Sequence, residues 1–275
     1  MRYTKMHGAH NSFVLIEALH GELPGEDLSV LARRLCSPES GPGADGMIVL
    51  VPAEDADVGM RFYNADGSEG EMCGNGARCL ARYAAEHGLA RDVERIRIRS
   101  AAGPVTARRI TEELYRVRLN DPSLVDLRRE VQLGDERVLC SYVELGEPGL
   151  PHAVVRVEAA AFDDLDALRE RGRALRRSAA FPRGANVSFV CPTGPGRVRA
   201  ITFERGVEDF TAACGTGCGA IAAAMLLSGE LPGEELEVEM PGGLLRVSLR
   251  REGERVRELL LTGPTAVVEE GEFDL

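Results

Sequence analysis

Two stretches of this 275-residue chain run in register with one another. In the first, Phe62 stands 11 positions before Cys73, which opens Cys73-Gly74-Asn75-Gly76. In the second, Phe203 stands 11 positions before Cys214, which opens Cys214-Gly215-Thr216-Gly217. The offset is 214 − 73 = 141. Both copies continue into a helix-like stretch, 77–87 and 218–228, and both then meet a glycine, Gly88 and Gly229. Glycine at that point suits the left-handed position that ends a helix. Beyond it, Ile96-Arg97-Ile98-Arg99 and Leu236-Glu237-Val238-Glu239 alternate as strands do. There the offset is 236 − 96 = 140, which places a one-residue indel in the intervening loop. Each copy therefore reads strand, long loop, Cys-Gly-x-Gly, helix, strand. A chain that duplicates such a unit is expected to build two similar, pseudo-symmetric domains of the α/β (α+β) class, packed face to face with the ligand cleft between them.

The cysteine of each copy sits just before a glycine-rich helix start. The first N–H groups of a helix have no intrahelical acceptor and carry roughly half a positive charge. Glycines let a ligand come close to that backbone, and the result suits a carboxylate. The same surroundings are expected to lower a cysteine's pKa from about 8.5 toward neutrality. One element thus supplies a carboxylate cradle and a thiolate, and two copies supply two of each. Racemisation at an amino-acid α-carbon needs a base on one face and an acid on the other, with the carboxylate held as it gains enolate-like charge. Cys73 and Cys214 are the expected pair, and no cofactor enters the scheme. A pyridoxal-phosphate enzyme would need a Schiff-base lysine, for which Lys5, the one lysine, is the single candidate.

Other readings of the seven cysteines carry less. Cys36, Cys140 and Cys191 have apolar neighbours and read as small buried hydrophobes. Cys79 and Cys218 fall inside the expected helices. The five residues between Cys73 and Cys79 fit a zinc pair poorly, so no metal is expected. A thiol redox module is the remaining alternative from another class. The formal net charge of −11 and pI of about 5.1 argue against nucleic acid and anionic membrane as partners. A small-molecule amino acid is the expected partner, and a homodimer is compatible with the sequence. With no signal-like apolar segment near the start, a cytoplasmic protein is expected.

At these residues the sequence resembles the diaminopimelate epimerase family. The resemblance rests on six ordered motifs: Lys5-Met6-His7-Gly8 with Asn11, Tyr63-Asn64-Ala65-Asp66-Gly67-Ser68, Cys73-Gly74-Asn75-Gly76-Ala77-Arg78, Gly184-Ala185-Asn186-Val187, Glu204-Arg205-Gly206-Val207 and Ala213-Cys214-Gly215-Thr216-Gly217. It implies two like domains, each a curled sheet around a central helix, over residues 1–120, to which 263–275 return, and 121–262. It implies epimerisation of LL- to meso-diaminopimelate, in lysine and cell-wall biosynthesis, with Cys73 and Cys214 as the two bases. Gly74, Asn75, Gly215 and Thr216 would bind the α-carboxylate, and Asn11, Asn64, Asn186, Glu204 and Arg205 would contact substrate. His152 and Glu204 would tune the cysteines. Three places depart from the family pattern: His10-Asn11-Ser12 stands for Gly-Asn-Asp, Leu150 precedes Pro151-His152 where the family has asparagine, and the loop from Glu204 to Cys214 is one residue longer. These keep open a racemase for another amino acid, such as histidine.

Overall fold

Short runs of alternating apolar and polar residues dominate the chain, and most of them become strands. The computed structural model describes residues 1–20, 27–70 and 72–274. Its contacts divide the chain into two units, Met1–Arg118 with Thr262–Leu275, and Leu119–Leu261.

In the first unit, β1 (Arg2–Gly8) and β2 (Asn11–Glu17) form an antiparallel hairpin. Helix α1 (Leu28–Cys36) follows, its first turn capped by the Asp27 side chain, which accepts from the Ser29 N–H. The chain returns as β3 (Gly46–Val51) parallel to β2, then as β4 (Val58–Asn64) antiparallel to β3. A two-residue strand, β5 (Glu69–Gly70), interrupts the loop before helix α2 (Gly74–Glu86). Then come β6 (Ile96–Ser100), parallel to β4, and the antiparallel β7 (Gly103–Arg109) and β8 (Leu114–Arg118).

The second unit repeats that order of directions. A long β9 (Pro122–Leu133) leads into β10 (Glu136–Leu145), and β10 pairs antiparallel with β11 (Leu150–Arg156). Helix α3 (Leu165–Arg176) connects β11 to its parallel partner β12 (Asn186–Gly194). Next are β13 (Arg197–Phe203), the two-residue β14 (Phe210–Thr211) and helix α4 (Gly215–Ser228). The unit ends with β15 (Glu235–Met240), parallel to β13, then β16 (Gly243–Glu252) and β17 (Arg255–Pro264). The last strand, β18 (Ala266–Glu272), pairs antiparallel with β1 and so belongs to the first unit.

In each unit one helix is enclosed by strands. Helix α2 packs on β1, β2, β4, β6, β7 and β8, and α4 on β9 to β12, β15 and β16. Helix α4 reads Gly-Thr-Gly-Cys-Gly-Ala-Ile-Ala-Ala-Ala-Met-Leu-Leu-Ser, apolar on every side, as a helix buried all round must be. Its small residues set the spacing: a Cβ on Gly219 would come within 2.9 Å of Leu259 and 3.0 Å of Leu119. The helices begin at Gly74 and Gly215, directly after the two cysteines. They end at the expected glycines, with φ of +70° at Gly88 and +81° at Gly229. Among the described residues no helix is long and apolar enough to cross a membrane.

The register of the repeat needs a correction. Tyr63 pairs with Met47 as Phe203 pairs with Val187, so Tyr63 and Phe203 are equivalent, 203 − 63 = 140 positions apart. Phe62 is not the counterpart of Phe203. The offset of 141 begins only at β5 and β14, where Tyr63 faces Glu69 and Phe203 faces Phe210. The extra residue lies in the turn 204–209, against 64–68 in the first unit. A turn absorbs an insertion, whereas a one-residue slip within a strand would turn every side chain to the wrong face.

The turn at Asn64–Gly67 carries its own requirement. Gly67 has a φ of +86°, and a Cβ there would lie 2.4 Å from the Ser29 carbonyl oxygen. Gly67→Ala should therefore destabilise the first unit by on the order of 1–3 kcal/mol. A fall of several degrees in the thermal midpoint is expected, and an unchanged midpoint would show that the turn tolerates a side chain.

Candidate active site

In the first unit Cys73 is the N-cap residue of α2, in extended conformation (φ −129°, ψ 120°). It is the one partly exposed cysteine of the seven, the other six being buried. Gly76, in the first turn, has room for no side chain: a Cβ would meet Ile48 at 2.9 Å and Met60 at 3.3 Å. The helix start is thus pressed onto β3 and β4.

The β1–β2 hairpin also sits against this helix start. Its two turn residues, Ala9 and His10, both lie in the left-handed region, with φ of +53° and +60°. That is the backbone of a two-residue type I′ turn, which usually takes Asn-Gly, so two residues with Cβ atoms hold it under strain. Gly8 permits the approach, since a Cβ there would stand 2.9 Å from the Asn75 carbonyl oxygen. The hairpin brings the Asn11 Oδ1 to 3.1 Å from the Asn75 Nδ2, which donates to it. The same oxygen is 3.9 Å from the Cys73 Sγ. Asp45 anchors the hairpin: its Oδ2 accepts from the Asn11 Nδ2 at 3.1 Å, the Ser12 N–H at 2.6 Å and the Ser12 Oγ at 2.9 Å. Asn64, at the end of β4, is exposed and donates from Nδ2 to the Ser68 Oγ at 3.0 Å. Lys5 donates to the Pro42 carbonyl at 2.9 Å.

In the second unit Cys214 caps α4, its sulfur accepting from the Gly217 N–H at 3.3 Å and lying 3.6 Å from the Thr216 Oγ1. It is 4 % exposed. The expected lowering of its pKa is overturned. Burial pushes the thiol well above its ordinary value, the Glu204 carboxylate pushes it further, and the donors at Thr216 and Gly217 oppose this without prevailing. The helix start does favour the anion, but desolvation outweighs it. Glu204 is itself held by Thr211, whose Oγ1 donates to the Glu204 Oε1 at 2.5 Å. Gly217 leaves the sulfur its space, since a Cβ there would lie 3.2 Å from the Sγ and 3.1 Å from the Ser188 and Thr202 hydroxyls.

Beside these, Asn186 begins β12 opposite His152 on β11. Its Oδ1 accepts from the Arg205 backbone N–H at 2.8 Å, while the Arg205 side chain donates to the Arg183 carbonyl at 2.9 Å. His152 is fully buried, and neither ring nitrogen has a hydrogen-bond partner. Burial first, then the Arg205 charge, push its pKa down to about 3. The imidazole is therefore neutral across the physiological range.

The structure thus gathers Asn11, Cys73 and Asn75 in one unit, and Glu204, Cys214 and Thr216 in the other. Sequence reasoning missed Asp45, which holds Asn11, and Thr211, which holds Glu204. Neither lies in a motif, and each acts through a partner distant in sequence or across a turn. Among the described residues no three of His, Cys, Asp or Glu converge as metal ligands would. A cavity of about 590 Å³ in the first unit, lined by Tyr3, Tyr83, His87 and Glu270 among others, includes none of the expected site residues.

A sequence model of the family described as "Diaminopimelate epimerase" matches residues 3–125 and 146–268. A diaminopimelate epimerase from Methanothrix thermoacetophila is 40% identical over 279 residues, covering 98% of this chain and 94% of that protein. One from Carboxydothermus hydrogenoformans is 36% identical over 285 residues, covering 100% of both. Among solved structures, a probable proline racemase from Agrobacterium radiobacter K84 superposes with a TM-score of 0.75 at 18% identity, covering 100% of this chain and 93% of that one. A hydroxyproline epimerase from Agrobacterium vitis gives 0.74 at 19%, covering 98% and 91%. These two share the fold.

Proposed function

The chain belongs to the diaminopimelate epimerase family, and we propose that it interconverts LL- and meso-diaminopimelate with Cys73 and Cys214 as its two acid–base groups. The protein is an isomerase. One observation carries the residue assignment: each of two topologically matched units ends its loop on a cysteine at the N-cap position of a glycine-opened helix.

In this reading one cysteine, as thiolate, takes the α-proton and becomes a thiol. The electron pair left on Cα delocalises into the α-carboxylate. The other cysteine gives its thiol proton to the opposite face and becomes a thiolate, so the pair finishes with its roles exchanged. Protons and charge balance within the two thiols and the substrate. The backbone N–H groups at Gly74, Asn75, Gly215 and Thr216 hold the carboxylate as its charge grows, which is where preorganised donors contribute most. Asn11, Asn64, Asn186 and Arg205 contact the rest of the substrate. Burial and Glu204 favour the protonated form of Cys214, which suits it to the acid's role, and the partly exposed Cys73 takes the base's role in this reading.

The substrate is tested by α-proton exchange with deuterated water across a panel holding LL- and meso-diaminopimelate, proline and histidine. Exchange with the diaminopimelates alone is expected. Exchange confined to histidine or another member would instead make Leu150 and His10 marks of a different specificity.

Glu204→Gln tests the acid. The carboxylate raises the Cys214 pKa, so the protonated thiol persists to higher pH while Glu204 is charged. Removing the charge lets Cys214 lose its proton earlier. The alkaline limb of kcat/KM should therefore move to lower pH, while glutamine keeps an acceptor for Thr211. A limb that stays in place or moves up contradicts this role.

A further inference from the structure

Four side chains of the first unit form a hydrogen-bonded line that passes beside the expected base. The Arg78 Nη2 donates to the Asn75 Oδ1 at 2.9 Å. The Asn75 Nδ2 donates to the Asn11 Oδ1 at 3.1 Å. The Asn11 Nδ2 donates to the Asp45 Oδ2 at 3.1 Å. Arg78 is fully buried and Asn75 is 3% exposed.

The ends of this line decide how its middle is oriented. A guanidinium can only donate, and an ionised carboxylate can only accept. An amide can present either its oxygen or its NH2, and turning it over costs nothing in shape. Between a donor-only end and an acceptor-only end, two successive amides have one arrangement that satisfies every contact. Asn75 must turn its oxygen to Arg78, and Asn11 must turn its NH2 to Asp45. The Asn11 atom left facing Cys73, at 3.9 Å from the sulfur, is then the carbonyl oxygen.

We propose that Arg78 and Asp45 are positioning residues for Cys73: together they fix the Asn11 amide so that it offers the sulfur an acceptor and not a donor. An acceptor stabilises the thiol over the thiolate, so a thiolate at this position is a stronger base. The proton it takes from the substrate is then held toward Asn11. The helix start pulls the other way, and the balance sets the base strength. Among the described residues, Cys79 on α2 interacts electrostatically with Cys73, and the charged ends of the line are Arg78 on α2 and Asp45 at the head of β3. Cys79, pushed up to about 12 by burial, stays a thiol throughout.

The catalytic meaning of this line rests on Cys73 being the base, but its test does not depend on turnover. The rate of Cys73 alkylation by iodoacetamide is followed against pH in the full chain. The double variant Arg78→Gln with Asp45→Ala removes one charge of each sign, leaves the first end able to donate or accept, and takes away the acceptor that holds the Asn11 NH2. Its midpoint is expected to fall by roughly half to one pH unit, the worth of one neutral hydrogen bond to the thiol. Arg78→Lys keeps a donor-only end and should leave the midpoint in place. Should the double variant not fold, Asn11→Ala removes the acceptor without setting a larger apolar group against the sulfur and must lower the midpoint likewise. An unmoved or raised midpoint in a folded variant overturns the proposal. Wild-type protein that exchanges no α-proton, yet shows these shifts, would keep the line of side chains and sink the proposed function. The reverse pattern would do the opposite.

Discussion

Cys73→Ser and Cys214→Ser should each lower kcat by roughly 10²–10⁴, the usual worth of a general acid or base. A serine hydroxyl is a far weaker acid than a thiol, so it neither rests as a base near neutral pH nor gives up its proton as readily. The fold should survive both changes. Each cysteine occupies the N-cap of its helix, a position where serine is among the preferred residues. Thermal midpoints should therefore match the wild type within a few degrees while turnover of either diaminopimelate isomer collapses. Near-normal turnover in either variant would remove that cysteine from the chemistry.

Chemical modification should be as decisive, and at one position. Cys73 is partly exposed and the other six cysteines are buried, so one equivalent of iodoacetate should abolish activity by labelling Cys73 alone. The reagent's carboxylate also suits the helix start beside the sulfur, which attracts anions. Bound diaminopimelate should protect, and Cys73→Ser should leave the protein unlabelled at that stoichiometry. Peptide mapping reads the outcome. A label found first on Cys36, Cys140 or Cys191, or a Cys73-labelled protein that remains active, contradicts the assignment.

What was legible in the sequence was local. The glycines at 88 and 229 marked helix ends because few other residues adopt a positive φ without strain. The alternation at 96–99 and 236–239 marked strands because successive side chains point to opposite faces. The Cys-Gly-x-Gly pairs marked two equivalent helix starts. The repeat register is hidden at one point, since Phe62 and Phe203 are identical residues whose equal spacing to the cysteines masks an insertion in the turn. Only the ladder partners Met47 and Val187 reveal it. The raised pKa of Cys214 is hidden from the sequence for a related reason. A helix start can be read locally, but the burial that dominates this thiol is set by how the whole unit packs. Asp45 was invisible on the same grounds: it lies 45 − 11 = 34 positions from the asparagine it holds.

The central claim is that one thiol removes the α-proton and a different thiol returns one. It is tested by running wild-type protein on LL-diaminopimelate in deuterated water, stopping at a few per cent conversion. The deuterium at Cα is then measured separately in the product and in the recovered substrate. Two groups acting on opposite faces predict product carrying solvent deuterium and recovered substrate that is still almost wholly protium. Deuterium appearing in the recovered substrate as fast as in the product, or product that keeps the original proton, would mean that a single group serves both faces and would contradict the account.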